Sequence, residues 1–320
     1  MNKGQAAGLL KEAYEKLKAS EAQAACVLLE QALDSDYEND EIKHALKCVH
    51  WWLEHIRRID DLQNPYEKGS FLIAQLKQYY IFLDHITDKE KAVSGEYFYE
   101  QCQYAVRCFV YSRALFFFTS LLKNPANQHD PVLLLMSGIC NKGLGNYDEA
   151  LKFLEHAASI HKEDAEILAE LADVNALLAQ IKDAKTLFKE AFFIDPLKID
   201  IRSLESALIL KLIDKVSELG YKGDALREWI PVYGYIWKVF SEKRELKQTE
   251  VGRLKNSIFT LEAEYDSNSD RQEIIKPRLL NHYFRLIDYY EIIHENSSLI
   301  DETMLKIRIK APDIYEMFPG

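Results

Sequence analysis

The residues that come closest to a metal-binding pattern lie in the stretch IKHALKCVHWWLEHI, residues 42–56. On a helix, His44, Cys48 and His55 share one stripe, because four and then seven residues separate them. His44 and Cys48 could hold one ion, but His55 lies about 16 Å further along the helix axis than His44. Structural zinc normally takes four ligands. His44 and Cys48 therefore form an incomplete metal site, and we predict a packed helix face and no cofactor.

No second motif in the chain carries recognisable chemistry. Gly143-Leu144-Gly145 lacks the Gly-Lys-Ser/Thr that completes a phosphate-binding loop, and it joins two predicted helices where such a loop joins a strand to a helix. The chain has no Gly-x-Ser-x-Gly and no His-Glu-x-x-His. These observations favour a protein that is not an enzyme.

The composition favours helices and argues against two classes of partner. Among 320 residues, 48% are hydrophobic, and only 12 Gly and 8 Pro interrupt them. The formal charge of -11 disfavours nucleic acid and anionic membrane surfaces, because both are bound mainly by Lys and Arg. We therefore expect neither nucleic acid nor membrane as a partner.

The cysteines and the first residues bear on the compartment. The five cysteines are odd in number and have apolar neighbours, as expected for buried free thiols in a reducing environment. The start, MNKGQAAGLLKEAYEKLKAS, lacks the apolar run of a secretory signal, and no run of about 18 apolar residues suggests a membrane span. We expect a cytoplasmic protein.

The helices that would position any site are easiest to predict where small residues recur thirty-four residues apart in the sequence. When residues 131–164 are aligned with residues 165–198, small residues match small residues and bulky residues match bulky ones. The matched positions are Gly138 with Ala172, Ala150 with Ala184, Leu154 with Phe188, and Ala157 with Ala191. Small residues let two helices approach closely. The pattern resembles the tetratricopeptide repeat (TPR) family. That resemblance implies an all-α, right-handed α-solenoid of helix pairs.

The same frame extends less clearly to the rest of the chain. It fits residues 6–39 and, with two extra residues, 95–130, whereas 40–94 reads as degenerate repeats. We therefore predict a solenoid over 1–198. Residues 199–320 are predicted to form a non-repeating helical block, beginning with a helix at about 201–219, that caps the solenoid.

The TPR resemblance also implies a ligand groove on the concave face. Two asparagines, Asn141 and Asn175, occupy equivalent positions in successive repeats and could also contact a peptide. Together with the residues at the groove positions of the family, they give these peptide-groove candidates: Tyr99, Gln103, Leu135, Ile139, Asn141, Lys142, Glu166, Asp173 and Asn175. The Lys, Asn and Arg set of the chaperone-binding carboxylate clamp is absent. A groove that is apolar in its middle and acidic at one end predicts a protein or peptide partner with apolar anchors and some basic character.

These features favour a non-catalytic scaffold that binds a peptide or protein partner on the concave TPR surface. Two alternatives stay open at this point. One is a ligand-responsive regulator or enzyme that uses the 199–320 block. The other is a structural subunit whose helical ends pair in a homo-oligomer.

Overall fold

The computed structural model describes residues 3–90, 97–267, 271–293 and 297–318, without the side chains of 87–90 and 97–99. Within those residues the chain forms fifteen α-helices and no strand, which confirms the all-α prediction. Contacts divide the chain into two compact units, residues 1–157 and 158–320. The sequence predicts a boundary after residue 198 instead. The difference arises because residues 165–192 share a hydrophobic core with the helices that follow them.

The N-terminal unit contains six helices and most of a seventh. Their bounds are α1 Lys3–Lys18, α2 Ala22–Ser35, α3 Asp40–Ile56, α4 Pro65–Glu90, α5 Tyr97–Leu122, α6 Pro131–Gly143 and α7 Tyr147–Ile160. Helix α5 contacts α1, α3, α4 and α6, so it lies at the centre of this unit. Helix α4 packs closely on α5 at Gly69, where an added Cβ would meet the Phe118 ring at 2.6 Å.

The predicted repeat at 95–130 is wrong, because α5 runs unbroken from Tyr97 to Leu122 where a repeat would have two helices and a turn. In the thirty-four-residue frame the turn would fall at Phe109. A left-handed turn residue other than glycine costs about 1–2 kcal/mol, and this stretch has no Gly, Pro or Asn to start a turn. Continuing the helix is therefore favoured.

Helix α5 also bears on the expectation that no segment could span a membrane. Among the described residues, Glu100–Leu122 is the one helical stretch that is long and apolar enough to do so by length and composition. Core helices of globular proteins can pass the same test, and Cys102, Phe109 and Phe118 on this helix are fully buried within the unit.

The repeats predicted at 131–164 and 165–198 each form a pair of helices. In the first pair, a Cβ added to Gly138 of α6 would lie 2.6 Å from Leu154 Cγ of α7, so only glycine fits without displacing that side chain. The small residues Ala150 and Ala184 are fully buried. Each pair also starts alike, because the carboxylates of Asp130 and Asp164 accept hydrogen bonds from backbone N–H groups in the first turn of α6 and α8.

The C-terminal unit contains the second pair and six further helices. Their bounds are α8 Ala165–Leu177, α9 Ile181–Ile194, α10 Ala207–Glu218, α11 Gly223–Ile236, α12 Gln248–Ser267, α13 Gln272–Ile292, α14 Ser297–Lys310 and α15 Pro312–Glu316. The helix predicted at 201–219 begins only at Ala207, because residues 199–206 form a non-helical loop. Phe188 and Phe192 of α9 share one hydrophobic core with Trp229 of α11 and Phe284 of α13.

Candidate functional site

Most of the predicted groove residues are buried. Leu135, Ile139 and Lys142 on α6 are all at least nine-tenths buried. Asn141 and Asn175 are buried as well, and each donates its side-chain N–H to a backbone carbonyl one turn earlier, at Ser137 O (2.9 Å) and Leu171 O (2.8 Å). The amides thus satisfy their own helices, the role that turn-forming asparagines often take.

The acidic end of the predicted groove is turned inward. Asp173 is fully buried, and its carboxylate accepts hydrogen bonds from the backbone N–H groups of Glu205 and Ser206, both at 2.8 Å. Glu170 is also buried and accepts a hydrogen bond from the Ser203 hydroxyl. These carboxylates anchor the loop that precedes α10. They are not available to a basic peptide, which corrects the groove role predicted for Asp173.

The remaining groove candidates do not form a continuous surface. Gln103 and Glu166 are partly exposed, and the Tyr99 side chain lies outside the described residues. Residues 137–143 of α6 and 167–175 of α8 are buried without interruption. A helix that is buried on all faces leaves no open face for a ligand.

The C-terminal unit contains a cavity of about 820 Å³ that is lined chiefly by α9, α12 and α13. We call it the C-terminal cleft. Arg253, Ser257 and Thr260 along its edge are exposed, so the cleft opens to solvent. Its apolar lining consists mainly of Leu187, Phe192, Phe193, Leu246, Leu254 and Leu261. A concave, largely apolar site with a few polar groups is typical of ligand-binding surfaces.

A guanidinium joins two walls of this cleft. Arg244, in the segment between α11 and α12, binds Glu190 on α9 with contacts of 2.9 and 3.2 Å. It also binds Glu250 on α12, at 2.7 and 3.3 Å. The hydrogen bonds from Arg244 lower the pKa of Glu250 to about 2. Arg244 therefore fixes α9 and α12 next to each other and keeps the Glu250 carboxylate ionised.

Two further arginines project from α13. Arg285 is buried, contacts Glu190 at 2.5 Å and lies over the Phe193 ring, 5.0 Å from its centroid. Its Nε has no hydrogen-bond partner among the described residues. Arg278 forms an ion pair with the buried Glu228 of α11. A buried guanidinium therefore lies in the wall of the cleft with one N–H group that the described residues leave unsatisfied.

The charged groups that solvent can reach in the cleft are mainly positive. The side chains of Arg253, Arg278 and Arg244 are 66%, 42% and 37% exposed, whereas those of Glu190 and Glu250 are only 16% and 26% exposed. The exposed carboxylate is Glu163, 3.7 Å from Arg253 at the outer end of the cleft, where Lys162 is also exposed. An anionic group on a ligand would therefore meet guanidinium groups first.

The structure adds a third residue to the incomplete metal site found in the sequence. His44 Nε2 and Cys48 Sγ are 3.5 Å apart on α3, and Cys102 of α5 joins them, so that all three donor atoms lie within 4.8 Å of one another. His55 is not part of the group: its Nδ1 contacts the Trp51 carbonyl at 2.7 Å. Cys102 has no motif around it, so only the packing of α5 against α3 could reveal this partner.

Comparison with known proteins identifies one segment. Residues 143–208 match the tetratricopeptide repeat family, which confirms the predicted resemblance. No curated protein and no solved structure matches the chain. The matched segment includes α9, which forms one wall of the C-terminal cleft. Residues 143–208 of this chain are therefore a tetratricopeptide repeat segment.

Proposed function

We propose that this chain is a non-catalytic protein-interaction scaffold and that its C-terminal cleft binds a segment of the partner. TPR repeats generally mediate protein–protein interactions, and this TPR segment supplies Leu187, Phe192 and Phe193 to the cleft. The observation that supports the proposal best is the combination of an apolar lining with solvent-accessible guanidinium groups. The residues first predicted to line a concave groove are largely buried, so they support this role less well.

The partner segment carries apolar side chains and at least one carboxylate. Apolar anchors fit the Leu and Phe lining, as in the predicted groove. The expected basic character rested on carboxylates such as Asp173, which bind the chain's own backbone. Arg278 and Arg244 are partly exposed in the cleft, and both complement an acidic segment.

A selection with two peptide libraries tests this proposal. Both libraries have Leu and Phe at the same positions, and they differ in having Asp/Glu or Lys/Arg between them. We expect the wild-type chain to retain the acidic library. Enrichment of the basic library, or of neither library, would contradict the proposal.

A blocking variant shows whether the retained peptides use the cleft. Ser257 and Thr249 are both exposed on α12, but only Ser257 lines the cleft. Ser257→Trp should weaken binding about tenfold or more, which corresponds to roughly 1.4 kcal/mol, whereas Thr249→Trp should leave it unchanged. Equal effects of the two substitutions would place the binding surface elsewhere.

We further propose a reducing, cytoplasmic location. The support is that all five cysteines are buried and free. Localisation of the tagged full-length chain in its native cell tests this statement directly.

A further inference from the structure

The cluster of His44, Cys48 and Cys102 lies in the N-terminal unit and has no part in the proposed cleft. All three side chains are at least 99% buried. His44 and Cys48 are one helical turn apart on α3, which is the spacing that lets two side chains share a ligand. Cys102 approaches from α5, far away in the sequence. Two helices therefore bring a soft donor set to one buried point.

The geometry suits a tetrahedral ion. Zinc binds cysteine sulfur at about 2.3 Å and histidine nitrogen at about 2.1 Å, so a sulfur and a nitrogen on one ion lie roughly 3.6 Å apart. The observed separation between His44 Nε2 and Cys48 Sγ is 3.5 Å. The donor atoms of all three residues lie within 4.8 Å of one another, which is compatible with one ion bound by all three. A small side-chain adjustment is enough to bring both sulfurs into its coordination sphere.

We propose that His44, Cys48 and Cys102 bind a zinc ion that clamps α3 to α5. A site with two thiolates and an imidazole binds zinc in preference to harder cations such as Mg²⁺ and Ca²⁺. The charges of two thiolates cancel those of Zn²⁺, which matters where no water solvates an excess charge. Copper(I) with the same ligands would leave one uncompensated negative charge in the core.

Tyr79 of α4 adds a further oxygen beside this site. Its hydroxyl is fully buried and lies close to both thiols. The three protein ligands leave the fourth zinc position open, so the Tyr79 hydroxyl can hydrogen-bond to the group that fills it. Zinc binding converts the packing of α3 on α5 into a direct linkage, and its free energy adds to that of folding.

The test measures zinc on the full-length chain, purified without a metal-affinity tag and kept reduced. After titration with zinc sulfate and removal of the excess, elemental analysis should find about one zinc per chain. Cobalt as a substitute should give thiolate-to-metal charge-transfer absorption and the intense visible bands of tetrahedral cobalt. Wild-type protein that retains no zinc overturns the assignment.

Variants locate the ion. Cys48→Ser and Cys102→Ala should abolish zinc retention, and added zinc should no longer raise their thermal midpoints as it does for the wild type. Cys26 is the matched control, because it belongs to a second cluster with Glu30 and His50 in the same unit. Cys26→Ser should retain zinc. Loss of zinc in Cys26→Ser, or its retention in Cys102→Ala, overturns the proposed site, and the wild-type stoichiometry decides the matter even if a variant misfolds.

Discussion

Gly145 and Ala179, thirty-four residues apart, occupy the same left-handed backbone position after the first helix of their repeats, with φ of +79° and +61°. In both turns the next residue donates its N–H to a carbonyl five residues earlier: Asn146 to Asn141 at 2.9 Å, and Gln180 to Asn175 at 2.8 Å. This is the Schellman arrangement of a helix end. The backbone thus repeats with the same period as the small residues.

Ala179→Gly should stabilise the chain by about 0.5–1 kcal/mol. Alanine at positive φ carries a steric cost that glycine avoids, and this gain exceeds the entropy that glycine loses on folding. Gly145→Ala makes the opposite change at the equivalent turn and should destabilise the chain by a similar amount. Urea denaturation followed by circular dichroism measures both. Destabilisation by Ala179→Gly would show that the left-handed turn carries no strain.

Asp173→Ala should destabilise the chain by about 2–3 kcal/mol, because it leaves the buried N–H of Ser206 and the half-buried N–H of Glu205 without an acceptor. Binding of the selected acidic peptide to the folded variant should not change. Denaturation and peptide titration are run on the same preparation. Weaker peptide binding with unaltered stability would restore Asp173 to a ligand-binding role.

The chain should lose stability as the pH falls through the ordinary histidine range, in part because of His282. Burial lowers the pKa of His282, and the nearby charges of Arg278 and Arg285 lower it further. The ring Nδ1–H donates to the Arg278 carbonyl at 2.8 Å. The unfolded chain therefore takes up this proton first, so stability is present above a pH of about 6.5 and declines below it.

Comparing His282→Gln with the wild type isolates this contribution, because glutamine can donate to the same carbonyl. The free energy of unfolding should fall less for the variant than for the wild type between about pH 7.5 and about pH 5.5, on either side of the ordinary value. Equal losses for the two proteins would mean that His282 titrates alike in the folded and unfolded chains.

The repeat pair at 131–198 could be predicted because its packing depends on local residue size. Gly138 and Ala150 mark positions where helices touch, and a fixed period shows them in the sequence alone. The same logic fails at 95–130. Cys102 and Phe118 match the size pattern and are buried, but no residue near Phe109 interrupts the helix. Size patterns therefore report helix contacts more reliably than helix ends.

The cleft and the three-residue Cys/His cluster could not be predicted, because both depend on contacts between distant segments. Glu190, Arg244 and Arg285 meet through the packing of α9 and α13, and each looks like an ordinary surface charge in the sequence. Asp173 was misassigned for a related reason. The sequence predicts a helix from about residue 201, in which the N–H groups of Glu205 and Ser206 would donate to carbonyls of the helix itself and not to Asp173.

The most direct test of the central claim measures how an acidic, apolar peptide from the selection binds when one charge at the cleft is reversed. Fluorescence anisotropy would compare the wild type with Arg253→Glu, at the edge of the cleft, and Lys211→Glu, an exposed residue of α10 outside it. Both variants change the net charge equally. We predict that Arg253→Glu weakens binding about fivefold, or roughly 1 kcal/mol, and that Lys211→Glu has little effect. Equal affinities for all three proteins, or equal losses in both variants, would contradict a partner-binding role for the C-terminal cleft.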